Sequence, residues 1–316
     1  MHGITIHAKI FLLFLSVTCG QLPVSLFAAD SDLPVALLLS DKESVYNEPM
    51  KAFRAEIGHS VHIFNLQGDI KKDPALKGKL FSVHPRLIFA LGAKAAFTAK
   101  LWTREHQDIP VVFALVLNWQ RYSLMDQKNM VGIAGETAPG TKFANITMLS
   151  PGIKRIGVIY STHSREVLQK AEKAAEIFNI ELYSQKIARS QDFQRSFKKM
   201  RQEVDAFLVL NDPVIYTLEN MDWLKIRCIK EKLPCIGQSK NIAEHGLVLS
   251  VNPDMADIGS QAASIAKNII NRHQRPDYIG VMPPLGTQII INRTTAERIG
   301  LPLPQNALDM ATQVID

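Results

Sequence analysis

Short apolar segments that alternate with amphipathic ones constrain the fold of this chain more than any other feature of its sequence. The segments 34–39 and 85–90 are almost continuously apolar, which is typical of strands buried on both faces of a parallel sheet. Segment 165–178 instead repeats its apolar residues at helical spacing. The strands predicted in this way are residues 34–39, 59–65, 85–90, 109–114, 130–134, 154–160, 180–187, 205–210 and 233–237. Such alternation predicts parallel sheets covered by helices.

The alternation breaks near residues 135–140 and then resumes with a similar order of elements. We therefore predict an α/β protein with two Rossmann-like domains, each a parallel sheet with helices on both faces. Ligands of open parallel sheets bind at the carboxyl ends of the strands. Two such domains placed side by side enclose a small molecule between them, and hinge closure around it is a common motion.

Composition narrows the class of protein further. The length of 316 residues fits two domains. A hydrophobic fraction of 47% and a charged fraction of 21% are those of an ordinary globular chain and exclude intrinsic disorder as the main state. The net charge of +6 comes from scattered Lys and Arg residues, without a run long enough for a nucleic-acid-binding arm. We expect no nucleic-acid partner.

Residues 1–29 have the pattern of a secretory signal peptide. Lys9 is followed by the apolar run 10–17, which is much shorter than the ~20 residues that a membrane span requires. Cleavage after Gly20 and cleavage after Ala29 both stay open, as does an uncleaved anchor. We expect the rest of the chain in the periplasm.

Two cysteines, Cys228 and Cys235, follow the signal and are seven residues apart. Cys228 ends the buried face of a predicted helix and Cys235 begins the next strand, so a Cα separation under ~7 Å, as a disulfide requires, is within reach. Export would place both in an oxidising compartment, but both positions also suit buried free thiols. The sequence has no C-x-x-C motif or Cys/His cluster, and we expect neither a metal nor a cofactor.

The motifs of common active sites are missing. The sequence contains neither a G-x-x-x-x-G-K-[ST] phosphate loop nor a G-x-G-x-x-G motif. Residues 237–241 (GQSKN) come close to a nucleophile elbow, but Asn241 stands where the sharp turn needs glycine. We interpret this segment as a polar loop that lines a cleft, and we predict that the protein is not an enzyme.

Seven segments carry a family resemblance. They are residues 87–95, 109–114, 149–160, 204–212, 233–236, 246–251 and 289–304. In their order and spacing they resemble the substrate-binding proteins of bacterial ABC importers that have the type I periplasmic-binding-protein fold. The most similar subfamily is the one typified by tryptophan- and other aromatic-amino-acid-binding proteins. The resemblance extends over nearly all of the chain after the signal.

This resemblance implies two domains joined by a three-strand hinge. The first would hold residues 30–135 and 241–275, and the second residues 136–240 and 276–316. It also implies a small amino-acid-like ligand, an aromatic one among the candidates, an ABC permease of the inner membrane as partner, and a monomer. A periplasmic sensor that docks on a membrane signalling receptor is the alternative, because the same fold serves both roles.

Six loops that follow predicted strands should face the cleft. Their candidate ligand-binding residues are Ser40, Asp41, Tyr46, Gly92, Ala93, Lys94, Asn118 and Trp119 in the first domain, and Tyr160, Ser161, Thr162, Asn211, Asp212, Gln238 and Ser239 in the second. Structural roles are the alternative for several of them. Ser40, Ser161 and Asn211 would serve equally well as caps of turns or helices.

The candidates suggest how an amino acid would be held. Free amides at the start of a helix at 92–94 attract a carboxylate, with added charge from Lys94. Tyr46, Trp119 and Tyr160 are rings on which an aromatic ligand can stack.

Two positions depart from the family pattern. The family often has Gly-Thr where this chain has residues 92–93, and an Asp where it has Asn118. Asp212 is then the best remaining carboxylate for an amino group. Its other interpretation is a cap for the turn before Pro213.

Overall fold

The computed structural model of the protein describes residues 33–244 and 246–316, so the predicted signal at 1–29 lies outside the described residues. Its strands are β1 (Val35–Leu39), β2 (Val61–Asn65), β3 (Leu87–Leu91), β4 (Val111–Val116), β5 (Met130–Ala134), β6 (Arg155–Tyr160), β7 (Glu181–Lys186), β8 (Ala206–Leu208), β9 (Cys235–Gly237), β10 (Leu249–Pro253), β11 (Val281–Met282), β12 (Thr287–Asn292) and β13 (Gln313–Ile315). Its α-helices are α1 (Asn47–Glu56), α2 (Leu76–Ser82), α3 (Ala93–Trp102), α4 (Pro139–Leu149), α5 (Arg165–Ile177), α6 (Phe193–Met200), α7 (Leu218–Lys230), α8 (Lys240–Glu244), α9 (Met255–Arg272), α10 (Pro276–Ile279), α11 (Arg293–Ile299) and α12 (Gln305–Met310).

The strands form two sheets. The first has the order β11-β5-β4-β3-β1-β2 and is parallel. The second has the order β13-β12-β10-β9-β8-β6-β7 and is parallel apart from the antiparallel pair of β10 with β12. The predicted class, an α/β protein with two parallel sheets flanked by helices, is confirmed.

Each sheet has an apolar core on both of its faces, which explains the continuous apolar strands. In β1, Leu37 packs with α9 on one face, whereas Leu38 packs with α2 and α3 on the other. In β6, Val158 packs in the apolar cluster on one face of the second sheet, and Ile159 packs in the cluster on the other face. A strand covered on both faces needs apolar residues at every position, so it shows no alternation of apolar with polar residues.

The chain passes between the sheets three times: from β5 to α4, from β10 to α9, and from β11 to β12. Strand pairing corrects two of the predicted boundaries. Residues 249–253 belong to the second sheet rather than to a first-domain segment 241–275, because Leu249 and Val251 pack in the core of that sheet. Residues 281–282 pair with β5 in the first sheet, although the boundaries implied by the family resemblance assign them to the second domain.

The two cysteines after the signal are bonded to each other. Cys228 lies in the last turns of α7 and Cys235 begins β9, and their Cα atoms are 6.0 Å apart in the disulfide. A backbone hydrogen bond of 2.9 Å from the Leu233 amide to the Cys228 carbonyl closes the turn between them. Among the described residues, no helix has both the length and the apolar composition for a membrane span.

Candidate ligand-binding site

A cleft of about 890 Å³ lies between the two sheets, where the carboxyl ends of their strands meet. The first sheet contributes residues that end β4 and follow β5, and the second contributes residues that follow β8 and β9 and end β10. The lining residues are Glu43, Ser44, Val45, Tyr46, Asn47, Glu48, Leu115, Leu117, Gly135, Asn211, Gln238, Ser239, Lys240, Asn241, Glu244, Asn252, Pro253, Met255 and Gln288. Of the candidates drawn from the sequence, Tyr46, Asn211, Gln238 and Ser239 line this cleft.

Tyr46 stands on the first-sheet side of the cleft, beside two other candidates. Its hydroxyl and Ser40 Oγ lie so close to Gly92 that a Cβ atom at that position would overlap both oxygens. Gly92 also has a φ of +88°, which other residues rarely adopt. Ser40 Oγ accepts a hydrogen bond of 2.9 Å from the Ala95 amide. Ser40 therefore caps the start of α3. The Gly92 amide, one of those expected to hold a carboxylate, already donates a hydrogen bond of 2.9 Å to the Ala114 carbonyl.

Two leucines near the end of β4 give the same side of the cleft an apolar surface. Leu115 has a φ of +57°, and the pairing of β4 with β5 shifts register between Phe113 and Val116, as at a β-bulge. Leu115 and Leu117 both line the cleft, and Leu117 is 44% exposed. Neither leucine is among the candidates drawn from the sequence, because a bulge changes which side chains face the cleft without leaving a pattern in the sequence.

Amide and hydroxyl side chains dominate the second-sheet side. Gln238 Oε1 accepts a hydrogen bond of 2.5 Å from Lys142 Nζ, and Gln238 Nε2 donates one of 2.9 Å to the Val209 carbonyl. Ser239 Oγ lies 2.8 Å from Tyr216 Oη. Both candidates are thus held in fixed orientations, which is what a preorganised binding surface requires.

Asn252 presents an unpaired polar atom at the cleft. Its Oδ1 lies 2.9 Å from Ser250 Oγ, whereas its Nδ2 is buried without a hydrogen-bond partner among the described residues. A buried polar atom costs free energy until a ligand or water satisfies it. Asn252 is therefore a candidate ligand-binding residue. It is not among the candidates drawn from the sequence, because it lies inside a strand rather than in a loop.

Acidic residues outnumber basic ones around the cleft. Glu43, Glu48 and Glu244 line it, whereas Lys240 is the one basic residue of the described lining. Lys240 Nζ lies 3.7 Å from a carboxylate oxygen of Glu244, so its charge is partly balanced. The excess of negative charge favours neutral ligands or ligands with an ammonium group over anions.

Asp212, the predicted partner of a ligand amine, is buried beneath the turn after β8. It is 1% exposed, and its carboxylate accepts hydrogen bonds from the Ser161 amide and hydroxyl, the Ser164 hydroxyl and the Val214 amide, at 2.5–3.0 Å. Burial alone would raise the pKa of Asp212, but these hydrogen bonds lower it below its usual value. Both carboxylate oxygens are occupied, which is the geometry of the turn cap that the sequence left as an alternative.

Further candidates lie outside the cleft lining. They are Ser40, Asp41, Gly92, Ala93, Lys94, Asn118, Trp119, Tyr160, Ser161, Thr162 and Asp212. Lys94 Nζ donates a hydrogen bond of 2.7 Å to the Gly68 carbonyl, and Tyr160 packs against the core of the second sheet. Long side chains at strand ends can turn to either side, and their direction depends on neighbours that are distant in the sequence.

Asn118 and Trp119 line a different cavity, of about 220 Å³. At the end of β5 and the start of the following linker, successive residues face the cleft and this cavity in turn. Ala134 and Glu136 line the cavity, whereas Gly135 between them lines the cleft. The two linings share no described residue. We call the smaller space the linker cavity; its lining is Asn118, Trp119, Gln120, Ala134, Glu136, Thr137, Ala138, Pro139, Lys142, Glu166, Val167, Lys170, Val281, Met282 and Pro283.

Two ionisable groups at the linker cavity are shielded from solvent: Lys142 is buried and Glu136 is half-buried. Glu136 Oε1 accepts a hydrogen bond of 2.8 Å from the Asn118 amide, but burial raises the pKa of Glu136 in spite of this bond. Lys142 is 3% exposed, and burial lowers its pKa to about 8 in spite of the nearby Glu136 charge. Neither residue is among the candidates drawn from the sequence, because charged residues near the start of a helix are usually exposed.

Three solved structures have a fold similar to that of this chain. CD0873 from Clostridium difficile, described as the ligand-free, open structure of a substrate binding protein with adhesive properties, has a TM-score of 0.75 and 18% identity, covering 89% of this chain and 99% of that one. An ABC domain from Streptococcus pneumonia in complex with L-Trp has a TM-score of 0.63 and 20% identity, covering 90% and 100%. A LacI transcriptional regulator from Lactobacillus brevis has a TM-score of 0.53 and 16% identity, covering 79% and 98%. At these identities the similarity shows the fold alone.

Sequence comparison defines the family. Among curated protein sequences, none matches this chain significantly. The family described as ABC transporter substrate binding protein matches residues 43–315, a range that includes every residue of the cleft lining. This chain therefore belongs to the ABC transporter substrate-binding protein family.

Proposed function

We propose that this protein is the periplasmic substrate-binding component of an ABC importer and that it binds an amino-acid-like solute in its cleft. The observation that carries the proposal is the cleft itself, where polar, acidic and apolar residues of both sheets converge on about 890 Å³. Ligand pockets have volumes of roughly 300–1,000 Å³. Membership of the substrate-binding family supports the role in import.

The chemistry of the lining supports a ligand with an ammonium group and an apolar body. The carboxylates of Glu43 and Glu48 would attract the ammonium group. Leu115, Leu117 and Tyr46 would cover the apolar body. Aromatic amino acids are the first candidates, since a neighbour with the same fold was solved in complex with L-Trp.

The ligand is tested by titrating the mature protein with a panel of L-amino acids, starting with L-tryptophan. A ligand that binds the native state raises the melting temperature in proportion to the logarithm of its concentration. We expect at least one member of the panel to bind, with an affinity that calorimetry can measure.

A pair of exposed leucines locates the binding site. Leu117 lines the cleft and is 44% exposed, whereas Leu101 lies on α3 outside the cleft lining and is 41% exposed. Leu117→Asp should weaken binding by roughly tenfold or more, because it replaces apolar contact with the body of the ligand by a carboxylate that this body cannot solvate. Leu101→Asp should leave the affinity unchanged. Equal losses in both variants, or no binding by any amino acid, would contradict the proposal.

Closure and import need separate measurements. Small-angle scattering should show a smaller radius of gyration with the ligand than without it, since two domains joined by strands can close by a hinge motion. In a strain that lacks the gene, uptake of the labelled ligand should fall. Unchanged uptake together with an altered response to the ligand would favour the sensor instead.

A further inference from the structure

We propose that the linker cavity is a second ligand-binding site, which takes a small zwitterion with one ammonium and one carboxylate group. The inference does not depend on what the cleft binds. It rests on buried polar atoms of the cavity that have no partner among the described residues, on the side chains around them, and on the balance of charge.

Hydrogen-bond acceptors are gathered on the Asn118 side of the cavity. Asn118 is 8% exposed, and its Nδ2 donates a hydrogen bond of 2.6 Å to the His163 carbonyl. A carbonyl accepts only, so this bond fixes the orientation of the amide and makes the other atom, Oδ1, an acceptor. Asn118 Oδ1 is buried without a partner among the described residues. The Glu136 carboxylate is adjacent, since it accepts a hydrogen bond from the backbone amide of Asn118. The ammonium group of a ligand could donate hydrogen bonds to both Asn118 Oδ1 and the Glu136 carboxylate.

Donors are gathered where α4 begins. Thr137 is 5% exposed, and its Oγ1 is buried without a partner in the described part of the chain. Lys142 Nζ carries three hydrogens and donates one of them to Gln238. Ala138, the N-cap residue of α4, supplies no side-chain hydrogen bond to the first turn. The Thr137 hydroxyl, the Lys142 ammonium group and the amides at the start of α4 together favour the carboxylate of a ligand.

The charges of the cavity select against a simple ion. Glu136 and Glu166 line it together with Lys142 and Lys170, so negative and positive residues balance. A lone anion would face the half-buried Glu136, and a lone cation would face the buried Lys142. A zwitterion meets both charges with opposite ends. The volume of about 220 Å³ is somewhat larger than the ~150 Å³ of a cavity known to hold benzene, which suits a ligand of this size.

Glycine is the probe, because it consists of little more than the two charged groups. The indole N–H signals of the protein in NMR spectra report on binding, since Trp119 lines the cavity and the chain has only three tryptophans. The signal of Trp119 is the one that Trp119→Phe removes. We expect glycine to shift this signal in a saturable way. Acetate and methylammonium, which each carry half of the zwitterion, should bind at least tenfold more weakly.

Two variants test the assigned atoms. Thr137→Val removes the hydroxyl and keeps the shape of the side chain, and it should weaken glycine binding about fivefold. Lys142→Met removes the buried charge and should weaken it by more than tenfold. Thr147→Val is the matched control. Thr147 Oγ1 is also buried without a partner among the described residues, but Thr147 does not line the cavity, so glycine affinity should not change.

Two results would overturn the proposal. If glycine produces no saturable shift at tens of millimolar, the unpaired atoms bind water only. If Leu117→Asp abolishes glycine binding while Thr137→Val and Lys142→Met do not affect it, glycine binds in the cleft. Neither result bears on amino-acid binding in the cleft, which is measured separately with Leu117→Asp and Leu101→Asp.

Discussion

Two carboxylates that follow strands of this protein, the buried Asp212 and the half-buried Glu136, differ in how far their charge is satisfied. Asp212, after β8, accepts four hydrogen bonds, and its pKa is lowered. Glu136, after β5, accepts a hydrogen bond from the Asn118 amide, and its pKa is raised. Burial disfavours the charge of both groups, so the hydrogen bonds decide the direction of the shift. A satisfied carboxylate stabilises its turn, whereas a poorly satisfied one marks a place where a proton or a ligand can bind.

The largest effect is expected at the satisfied carboxylate. Asp212→Ala leaves the donors of Ser161, Ser164 and Val214 unpaired in a buried turn, and should lower the free energy of unfolding by about 3–5 kcal/mol. Urea denaturation measures the loss. Ligand affinity should stay within a few-fold of the wild-type value, because Asp212 does not line the cleft.

The pH dependence of this loss is a second test at the same residue. Since the native state lowers the pKa of Asp212, its stabilising contribution is complete above about pH 4, the pKa of an unfolded aspartate. It is lost as the pH falls through the lower pKa of the native state.

Asp126→Ala is the control for Asp212→Ala. The Asp126 side chain is 70% exposed, so this variant should lower the free energy of unfolding by less than about 0.5 kcal/mol. A large loss of ligand affinity in Asp212→Ala, with stability unchanged, would make Asp212 a ligand-binding residue after all.

A smaller effect of opposite sign is expected at Lys142. Burial lowers its pKa to about 8, whereas an unfolded lysine has a pKa of about 10.4. The unfolded state therefore binds more protons between these values, and wild-type stability should rise from about pH 8 to about pH 10 through this residue. Lys142→Met should add about 2 kcal/mol of stability at pH 7 and remove this rise.

Denaturation at pH 7 and pH 10 measures both parts of the Lys142 prediction. Lys94→Met is the matched control, because Lys94 is exposed; it should change stability by less than about 0.5 kcal/mol at either pH. Destabilisation of Lys142→Met at both pH values would mean that the Lys142–Gln238 hydrogen bond outweighs the cost of burying the charge.

The smallest effect is expected at Glu136. Because burial raises its pKa, the native state holds this proton more tightly than the unfolded state does. Glu136→Gln should therefore add about 1 kcal/mol of stability at pH 7. The gain should become small near pH 4 and vanish below it, because the unfolded glutamate becomes protonated as the pH falls through its pKa of about 4.3. Glu166→Gln, at an exposed residue of the same cavity, should show no such gain. A gain that persists at pH 4 would contradict the role of burial.

Local sequence patterns predicted most of the fold because each strand and helix buries its own apolar residues. The predicted strand at 34–39 is β1, and the predicted helix at 165–178 is α5. The domain boundaries implied by the family resemblance did not place β10 and β11 in the correct sheets. Which sheet a short apolar strand joins depends on partners far along the chain, here Ile236 for Leu249 and Gly132 for Val281.

The sequence predicted where the cleft lies better than it predicted which residues line it. Loops after parallel strands locate the cleft by topology, and Tyr46, Asn211, Gln238 and Ser239 were found in this way. Leu117 and Asn252 were not, because a bulge and a strand interior present them to the cleft.

The sequence by itself determined the α/β class, the two-sheet division and the family, because these follow from local periodicity and from segments that keep their order. Only the tertiary structure decided that Asp212 is a cap and that Asn118 faces the linker cavity. It also decided that Glu136 and Lys142 carry perturbed charges. The physical reason is that hydrogen-bond partners and burial set the state of a polar side chain, and both depend on residues that only the fold brings together.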